Sequence, residues 1–375
     1  MSEYRKEVIH SMLRRLPDWD YSQAAMYMIT IVLRDRRSRA LGNLVDGIDS
    51  DGTSVARVNL SSIGEAVADC WEAIPRYYPQ VQIVAKQVMP DHFHGILWVK
   101  ERLNCHLGQV VKGFKIGCNK RAHYPLFAEG FQDTILFRRG QLQNMIDYIH
   151  DNPRRLKEKI AHPNLFRVLR SLRVPMGCPV PADTIGRQDV FYGTFSAIGN
   201  HELLRQPQKA QIQCSRSLFQ YARDAKGRID KNAEPLVTTE EFESKCAELL
   251  AFARHGAVLV SPCISQGERE IARRAFEAGL KVITLSNKGF SPLYKPGGKL
   301  FDQCASGNLL MLAPVAWPYI PGEKKMTRVD ACVLNRIAQL ISGDGAVEIS
   351  YKGIIPEKID AIAKEALQPP VQSCS

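Results

Sequence analysis

The hydrophobic pattern predicts that the first half of the chain folds around a sheet. Residues 26–35 (MYMITIVLRD) are apolar and rich in β-branched side chains, and further apolar runs at 81–89 and 92–100 are separated only by Pro90 and Asp91. Such runs are typical of strands, and the Pro-Asp pair predicts a tight hairpin between two of them. Amphipathic helical stretches lie between and after these strands. The order predicts an α+β domain with an antiparallel sheet and helices packed on it.

The pattern changes in the second half of the chain. Residues 174–188 are rich in proline and glycine and have no periodicity, so they are the best linker candidate. Beyond them, apolar strands such as AVLVSP alternate with amphipathic helices, which predicts a parallel sheet covered on both faces and hence a Rossmann-like α/β domain. We expect a first domain at 1–165, a linker at 166–189, the Rossmann-like domain at 190–345 and a tail at 346–375.

Composition narrows the class of protein. The chain has 375 residues, 45% hydrophobic and 24% charged, as in a globular protein. Its net charge of +11 favours a polyanionic partner, although a solvated basic surface has the same charge. The ten cysteines form no CxxC pair, which argues against a disulfide framework and a zinc ribbon. The charged N-terminal segment lacks the apolar core of a signal peptide, so we expect a cytoplasmic protein with no membrane partner.

Two histidines lie one residue apart in the strand that begins at residue 92. Because side chains alternate between the faces of a strand, His92 and His94 project to one side and Phe93 to the other. Two imidazoles on one face can bind a divalent cation. The alternative is a pair of structural histidines, each satisfied by a backbone or carboxylate partner, and the motif alone does not decide between them.

A tyrosine and an asparagine lie one helical turn apart in the sequence YIHDNPRRL. Tyr148 and Asn152 are four residues apart, so they share a helix face, and Tyr148 borders the apolar stripe of this helix. Pro153 disfavours the helical conformation at Asn152, so we expect the helix to kink or end there and leave the amide free to point at a ligand. A packed tyrosine followed by a helix-terminating Asn-Pro is the alternative.

The two motifs together have a chemical logic that neither has alone. A cation held by two imidazoles and an amide oxygen polarises a scissile phosphate, and a neighbouring tyrosine can attack the phosphorus. The tyrosine then carries a 5′ phosphate, and a 3′ hydroxyl is released. Because the bond energy is retained in the adduct, transesterification needs no external energy source.

With these motifs in place, residues 26–158 resemble the HUH single-tyrosine transposases, most closely the REP-associated tyrosine transposases of bacteria. The resemblance extends over five segments in matching order: ITIVLRDRR, VMPDHFHGILWV, LGQVVKGFK, GFQDTILF and YIHDNPRRL. It implies a ferredoxin-like (RRM-like) catalytic domain that cleaves and joins single-stranded DNA folded into hairpins or palindromic repeats, as a homodimer with Mg²⁺ or Mn²⁺. It also implies that Tyr148 is the nucleophile and that His92, His94 and Asn152 bind the metal.

Basic side chains near these motifs are candidates for DNA binding. On the predicted helices they could line a phosphate track beside the site, although each is equally compatible with an ordinary solvated face. The candidates are Lys112, Lys115, Arg138, Arg139, Arg154 and Arg155. Two carboxylates, Asp133 and Asp147, are alternative metal ligands.

The second domain gives a weaker signal. Its sequence from AVLVSP onward resembles, in outline, the Rossmann-like domain of DNA-processing protein A, but it has neither a GxGxxG nor a P-loop motif. We expect it to bind DNA or a partner without catalysis. For the whole chain, two alternatives to a transposase remain: a non-catalytic DNA-binding regulator that keeps the fold, and a rolling-circle replication initiator or relaxase. The second is disfavoured because no helicase motor follows.

Overall fold

A computed structural model describes most of the chain in two compact units. The units span Met1–Ala161 and His162–Ser375. The described residues are 18–48, 52–138, 140–176, 191–214, 219–221, 235–322, 324–343 and 355–369. Within these ranges, no helix combines the length and the apolar character that crossing a bilayer requires.

The first unit contains a sheet, a separate hairpin and helices. Its strands are β1 (Ala25–Val32), β2 (Gly42–Ile48), β3 (Ser54–Leu60), β4 (Val81–Val88), β5 (His92–Val99) and β6 (Gln132–Ile135). Its helices are α1 (Ser62–Glu72), α2 (Ile74–Tyr77), α3 (Leu107–Ala122), α4 (Gln141–His150) and α5 (Asn152–Ala161).

In the part of the chain that the structure describes, four of these strands form one antiparallel sheet in the order β4-β5-β1-β6. Within the described ranges, strands β2 and β3 pair only with each other. Apart from that hairpin and the short α2, the chain runs β1-α1-β4-β5-α3-β6, a βαββαβ order whose strand arrangement matches the ferredoxin-like type. The predicted α+β fold with an antiparallel sheet is confirmed.

The two faces of this sheet have different partners. Helices α1 and α3 cover one face, where Phe93 packs against Trp71 and Phe114 with ring centroids 4.7 and 5.4 Å away. On the other face, α4 packs through a smaller apolar cluster that includes Ile96 and Ile149. We call this second side the α4 face. Because β5 alternates, it receives His92 and His94.

The second unit is built on a mixed sheet. Its strands are β7 (Leu169–Met176), β8 (Phe191–Gly199), β9 (Lys209–Gln211), β10 (Phe219–Tyr221), β11 (Pro235–Thr238), β12 (Val258–Ser261), β13 (Val282–Leu285) and β14 (Leu309–Pro314). Its helices are α6 (Glu240–Arg254), α7 (Gln266–Glu277), α8 (Gly298–Ala305), α9 (Arg328–Ser342) and α10 (Pro356–Ala366). The main sheet has the order β7-β8-β14-β13-β12-β9, as far as the structure describes it.

The predicted parallel strands are present, but a Rossmann-like arrangement is not confirmed. Strands β9, β12, β13 and β14 are parallel neighbours, with α6 and α7 packed on one face and α9 and α10 on the other. However, these strands follow one another in chain order, without the reversal that defines a doubly wound sheet, and β8 joins antiparallel.

Two predicted boundaries are wrong in part. Residues 169–176 of the predicted linker form β7, which tolerates Pro175 because it is an edge strand of the sheet. The predicted tail contains α10, whose Ile359 and Ala363 are buried against the core that includes α9. The rest of the proline-rich segment, 177–190, lies outside the described residues.

We predict that Gly95→Ala destabilises the protein by about 1–3 kcal/mol, the usual cost of overpacking a core. An added Cβ would lie 2.3 Å from Cζ2 of Trp71, which is fully buried. The free energy of unfolding from urea denaturation measures the effect.

The matched control is Gly113→Ala in α3, where the added Cβ meets only the Tyr78 hydroxyl at 3.7 Å. This change should be neutral or slightly stabilising, because alanine is the better helix former. Equal stability of the two variants would contradict the packing of β5 described above.

Candidate active site

The two histidines of β5 lie side by side on the α4 face. Their ring centroids are 4.7 Å apart, and the ring planes are nearly perpendicular. His94 is buried, whereas the side chain of His92 keeps 16% of its exposure. The strand therefore places both imidazoles on one face, as the alternation of side chains predicts, and His92 is partly exposed to solvent.

Each imidazole is anchored through its Nδ1 atom. His92 Nδ1 lies 2.5 Å from Oδ1 of Asp91, the hairpin residue that precedes β5. His94 Nδ1 lies 2.8 Å from Oγ1 of Thr30, its cross-strand neighbour on β1. Neither Nε2 atom has a hydrogen-bond partner among the described residues. Both Nε2 atoms are thus left for a ligand, the arrangement in which a second partner orients a metal-binding histidine.

Burial favours a neutral His94. Burial lowers the pKa of His94 to about 3, and the nearby His92 and Lys159 lower it as well. Burial alone would raise the pKa of the Asp91 carboxyl, but the hydrogen bonds and charges of His92 and Arg36 outweigh it and hold that pKa below its ordinary value. Asp91 is therefore ionised, and it accepts hydrogen bonds from Arg36 Nε and Nη2 at 2.8 and 2.6 Å.

Tyr148 lies against this pair. It is half-buried on α4, within the apolar cluster that holds the helix on the sheet. Its ring centroid is 5.9 Å from that of His94, and the guanidinium carbon of Arg155 lies 5.3 Å from it. The structure thus brings together the tyrosine and the histidine that the sequence places 54 positions apart.

Asn152 marks a break between two helices. Helix α4 ends at His150 and α5 begins at Asn152, where Pro153 predicts an interruption. The expectation of a free amide is wrong for its nitrogen, because Nδ2 donates to the carbonyl oxygens of Tyr148 at 2.7 Å and Ile149 at 3.3 Å. Two facing carbonyls require the NH₂ group there, so the orientation of the amide is fixed. The atom left for a ligand is Oδ1.

One face of α5 is turned towards the pair. Arg155 and Lys159 follow Asn152 by three and seven residues, so the three side chains share a helix face. Arg155 lies over the Tyr148 ring, and the charge of Lys159 acts on His94. Asn152 therefore belongs to the helix face from which two neighbours reach the site.

Sequence reasoning missed Lys159, Thr30 and Asp91 as parts of this site. Asp91 had a signal, because it directly precedes His92 in the DHFH motif. Thr30 had none, because its contact with His94 depends on the pairing of strands 64 residues apart.

The predicted DNA-binding residues do not form one cluster. Lys112 and Lys115 lie on α3, which covers the face of the sheet opposite the histidine pair. Lys115 donates to the carbonyl oxygens of Ala128, at 2.7 Å, and Gly130. Arg138 is exposed just before α4, and Arg154 is exposed on α5. Arg139 lies outside the described residues, and DNA binding by this set stays a prediction.

The two alternative carboxylates are less well placed. Asp133 pairs across the sheet with Ile29, whereas His94 pairs with Thr30, so Asp133 lies on the opposite face from the histidines. Asp147 is exposed and accepts a hydrogen bond from Gln143. Among the residues that the structure describes, no three His, Cys, Asp or Glu side chains form a metal-binding group. A cation held by the two histidines would thus need an amide or another oxygen as a further ligand.

Comparison with known proteins gives limited likenesses. No family model matches the chain. An uncharacterized protein of Haemophilus influenzae is 24% identical over 177 residues, 40% of this chain and 93% of that protein. A solved REP-associated tyrosine transposase bound to a REP hairpin is 19% identical over 42% of this chain and 74% of its own, with a TM-score of 0.29. A Deinococcus radiodurans protein assigned as a transposase is 15% identical over 37% of this chain and 98% of its own, with a TM-score of 0.23. Likenesses of this size establish neither fold nor function.

We predict that Asn152→Leu lowers the free energy of unfolding by about 1–3 kcal/mol, because two carbonyl oxygens lose their donor at a buried position. Chemical denaturation measures the change. Asn144→Leu, at an exposed position of α4, is the control and should change stability by less than about 0.5 kcal/mol. Equal effects of the two substitutions would mean that the amide of Asn152 is not anchored as described.

Proposed function

We propose that this protein is a metal-dependent, single-strand-specific DNA endonuclease and strand-transferase of the REP-associated tyrosine transposase type. The observation that supports it most is the contact between Tyr148 and His94, one of two adjacent histidines that both have Nδ1 anchored and Nε2 unpartnered among the described residues. Two structural histidines would need only such partners, and a structural role does not explain the candidate nucleophile beside them.

The available donor atoms fit a divalent cation. His92 Nε2, His94 Nε2 and Asn152 Oδ1 would hold it, and the neutral state of His94 is the one that a metal ligand requires. Bound there, the cation would polarise the scissile phosphate and offset its charge. Because Mg²⁺ prefers oxygen ligands, a donor set with two imidazole nitrogens favours Mn²⁺ over Mg²⁺.

Tyr148 would supply the nucleophile. Its hydroxyl oxygen attacks phosphorus, so the Oη–P bond forms while the bond from phosphorus to the 3′ oxygen breaks. The tyrosine loses its proton, and the departing 3′ oxygen gains one. The 5′ end of the DNA stays on the protein as a phosphotyrosine, from which another 3′ hydroxyl can displace Tyr148 and rejoin the strand.

Basic side chains near the tyrosine suit an anionic substrate. The charge of Lys159 acts on His94 from α5, Arg154 is exposed on the same helix, and Arg36 lies beside the histidine pair, where it binds Asp91. We propose single-stranded DNA in a hairpin or palindromic repeat as the substrate and a homodimer as the working form, as the sequence resemblance implies. The second unit would bind DNA or a partner.

The proposal predicts a covalent adduct between Tyr148 and the 5′ end of cleaved DNA. Purified protein is incubated with Mn²⁺ and labelled hairpin oligonucleotides that carry single-stranded flanks, and the adduct is detected as a shifted band on a denaturing gel. Tyr148→Phe should abolish the adduct, because the nucleophilic oxygen is absent. His92→Ala and His94→Ala should reduce cleavage by at least 100-fold.

The controls separate chemistry from binding. Tyr27→Phe removes another tyrosine hydroxyl, on the opposite face of the sheet, and should still form the adduct. If the wild type and Tyr148→Phe behave alike on every hairpin, the mechanism is wrong. If hairpin DNA binds tightly to the wild type and both histidine variants but is never cleaved, the protein is a DNA-binding regulator that keeps the fold.

A further inference from the structure

The ring of Tyr148 has two polar neighbours, His94 and Arg155. His94 approaches it at 5.9 Å between centroids, with the ring planes at 69°. The guanidinium carbon of Arg155 lies 5.3 Å from the centre of the same ring, within the range of a cation–π contact. The tyrosine ring therefore contacts both an imidazole of the sheet and a cation of the next helix.

The position of Arg155 is itself fixed. Its Nε donates to Asp151 Oδ2 at 2.8 Å, and Arg154 donates to both oxygens of the same carboxylate at 2.5 and 2.8 Å. Asp151 is the residue between α4 and α5, so this ion-pair group lies at the break between the helices. The carboxylate that orients Arg155 thus comes three residues after the tyrosine that Arg155 covers.

The neighbouring side chains of Arg154 and Arg155 differ in their exposure to solvent. The side chain of Arg155 is 11% exposed, against 44% for Arg154. A phosphate track needs guanidinium groups that solvent and DNA can reach, which suits Arg154 and does not suit Arg155. The Arg155 guanidinium is instead bound by the Asp151 carboxylate and lies over the Tyr148 ring.

We infer that Arg155 is a positioning residue, which holds the Tyr148 ring in the orientation from which its hydroxyl attacks phosphorus. The inference rests on the proposed function of Tyr148. Without the guanidinium, the ring loses the contact over its face and its side chain can rotate more freely, so fewer molecules hold the hydroxyl in place at any moment. The rate of the covalent step should fall while the affinity for DNA stays nearly the same.

The test is a single-turnover measurement of adduct formation at saturating hairpin DNA, with Mn²⁺, alongside the Kd of the same DNA by fluorescence anisotropy. Arg155→Gln should lower the rate about tenfold or more and change Kd by less than about threefold. Arg155→Lys should recover only part of the rate, because an ammonium group cannot lie flat on the ring while it is held by Asp151.

Two further variants complete the design. Lys157→Gln removes one positive charge from the same helix at a residue that pairs with Asp46, and it should keep the wild-type rate. Asp151→Asn keeps the arginine but removes the carboxylate charge that holds its guanidinium, so it should also lower the rate. This variant keeps the inference testable if Arg155→Gln fails to fold. An unchanged rate in both Arg155→Gln and Asp151→Asn, or a loss of DNA affinity at an unchanged rate, would overturn the inference.

A readout that does not depend on cleavage separates this inference from the proposed function. With 3-fluorotyrosine at position 148, the ¹⁹F NMR signal of the free protein should shift and narrow in Arg155→Gln but not in Lys157→Gln, because a released ring reorients faster. If the wild type forms no adduct, the proposed function fails, and the ¹⁹F signal still decides whether Arg155 holds the ring. An unchanged signal in Arg155→Gln would show that it does not.

Discussion

The site depends on the packing of β5 against Trp71. Phe93 and Gly95 face the helices on one side of the sheet, and Gly95 leaves room for a fully buried indole that any larger side chain would displace. A slip of the strand by one residue would turn the two histidines into the apolar core and Phe93 into the site. The face on which His92 and His94 lie is therefore set by apolar packing on the other face, and only their orientation is set by polar partners.

The break between α4 and α5 brings the remaining groups to the same place. Helix α4 carries Tyr148 on the edge of an apolar cluster, and Asn152 then closes the end of that helix through two carbonyl oxygens. After the break, α5 places Arg155 over the tyrosine ring and Lys159 where its charge acts on His94. The asparagine has a structural role through its nitrogen, and its oxygen stays available for a ligand. One residue can thus serve both the fold and the proposed chemistry.

The sequence predicted those features that depend on local periodicity. Alternation in β5 predicts that His92 and His94 share a face, and the Asn-Pro pair predicts the break at Asn152; both agree with the structure. Features that depend on packing partners were not predictable in this way. A charge pattern does not reveal which face of the sheet a helix covers. Lys115 was therefore predicted to lie beside the site, whereas its helix, α3, covers the opposite face of the sheet. Likewise, β-α-β alternation in the second unit predicted its strands and helices but not their order.

The central claim is that two histidines with anchored Nδ1 atoms present their Nε2 atoms to one cation beside Tyr148. Crystals of the Tyr148→Phe variant grown with Mn²⁺ and hairpin DNA test it most directly, through anomalous scattering near the manganese absorption edge. The account predicts one anomalous peak within bonding distance of Nε2 of both His92 and His94. Two results would contradict it. One is a crystal in which the DNA is fully occupied but no anomalous peak lies near the histidines. The other is a manganese ion bound elsewhere while both imidazoles are hydrogen-bonded to protein groups.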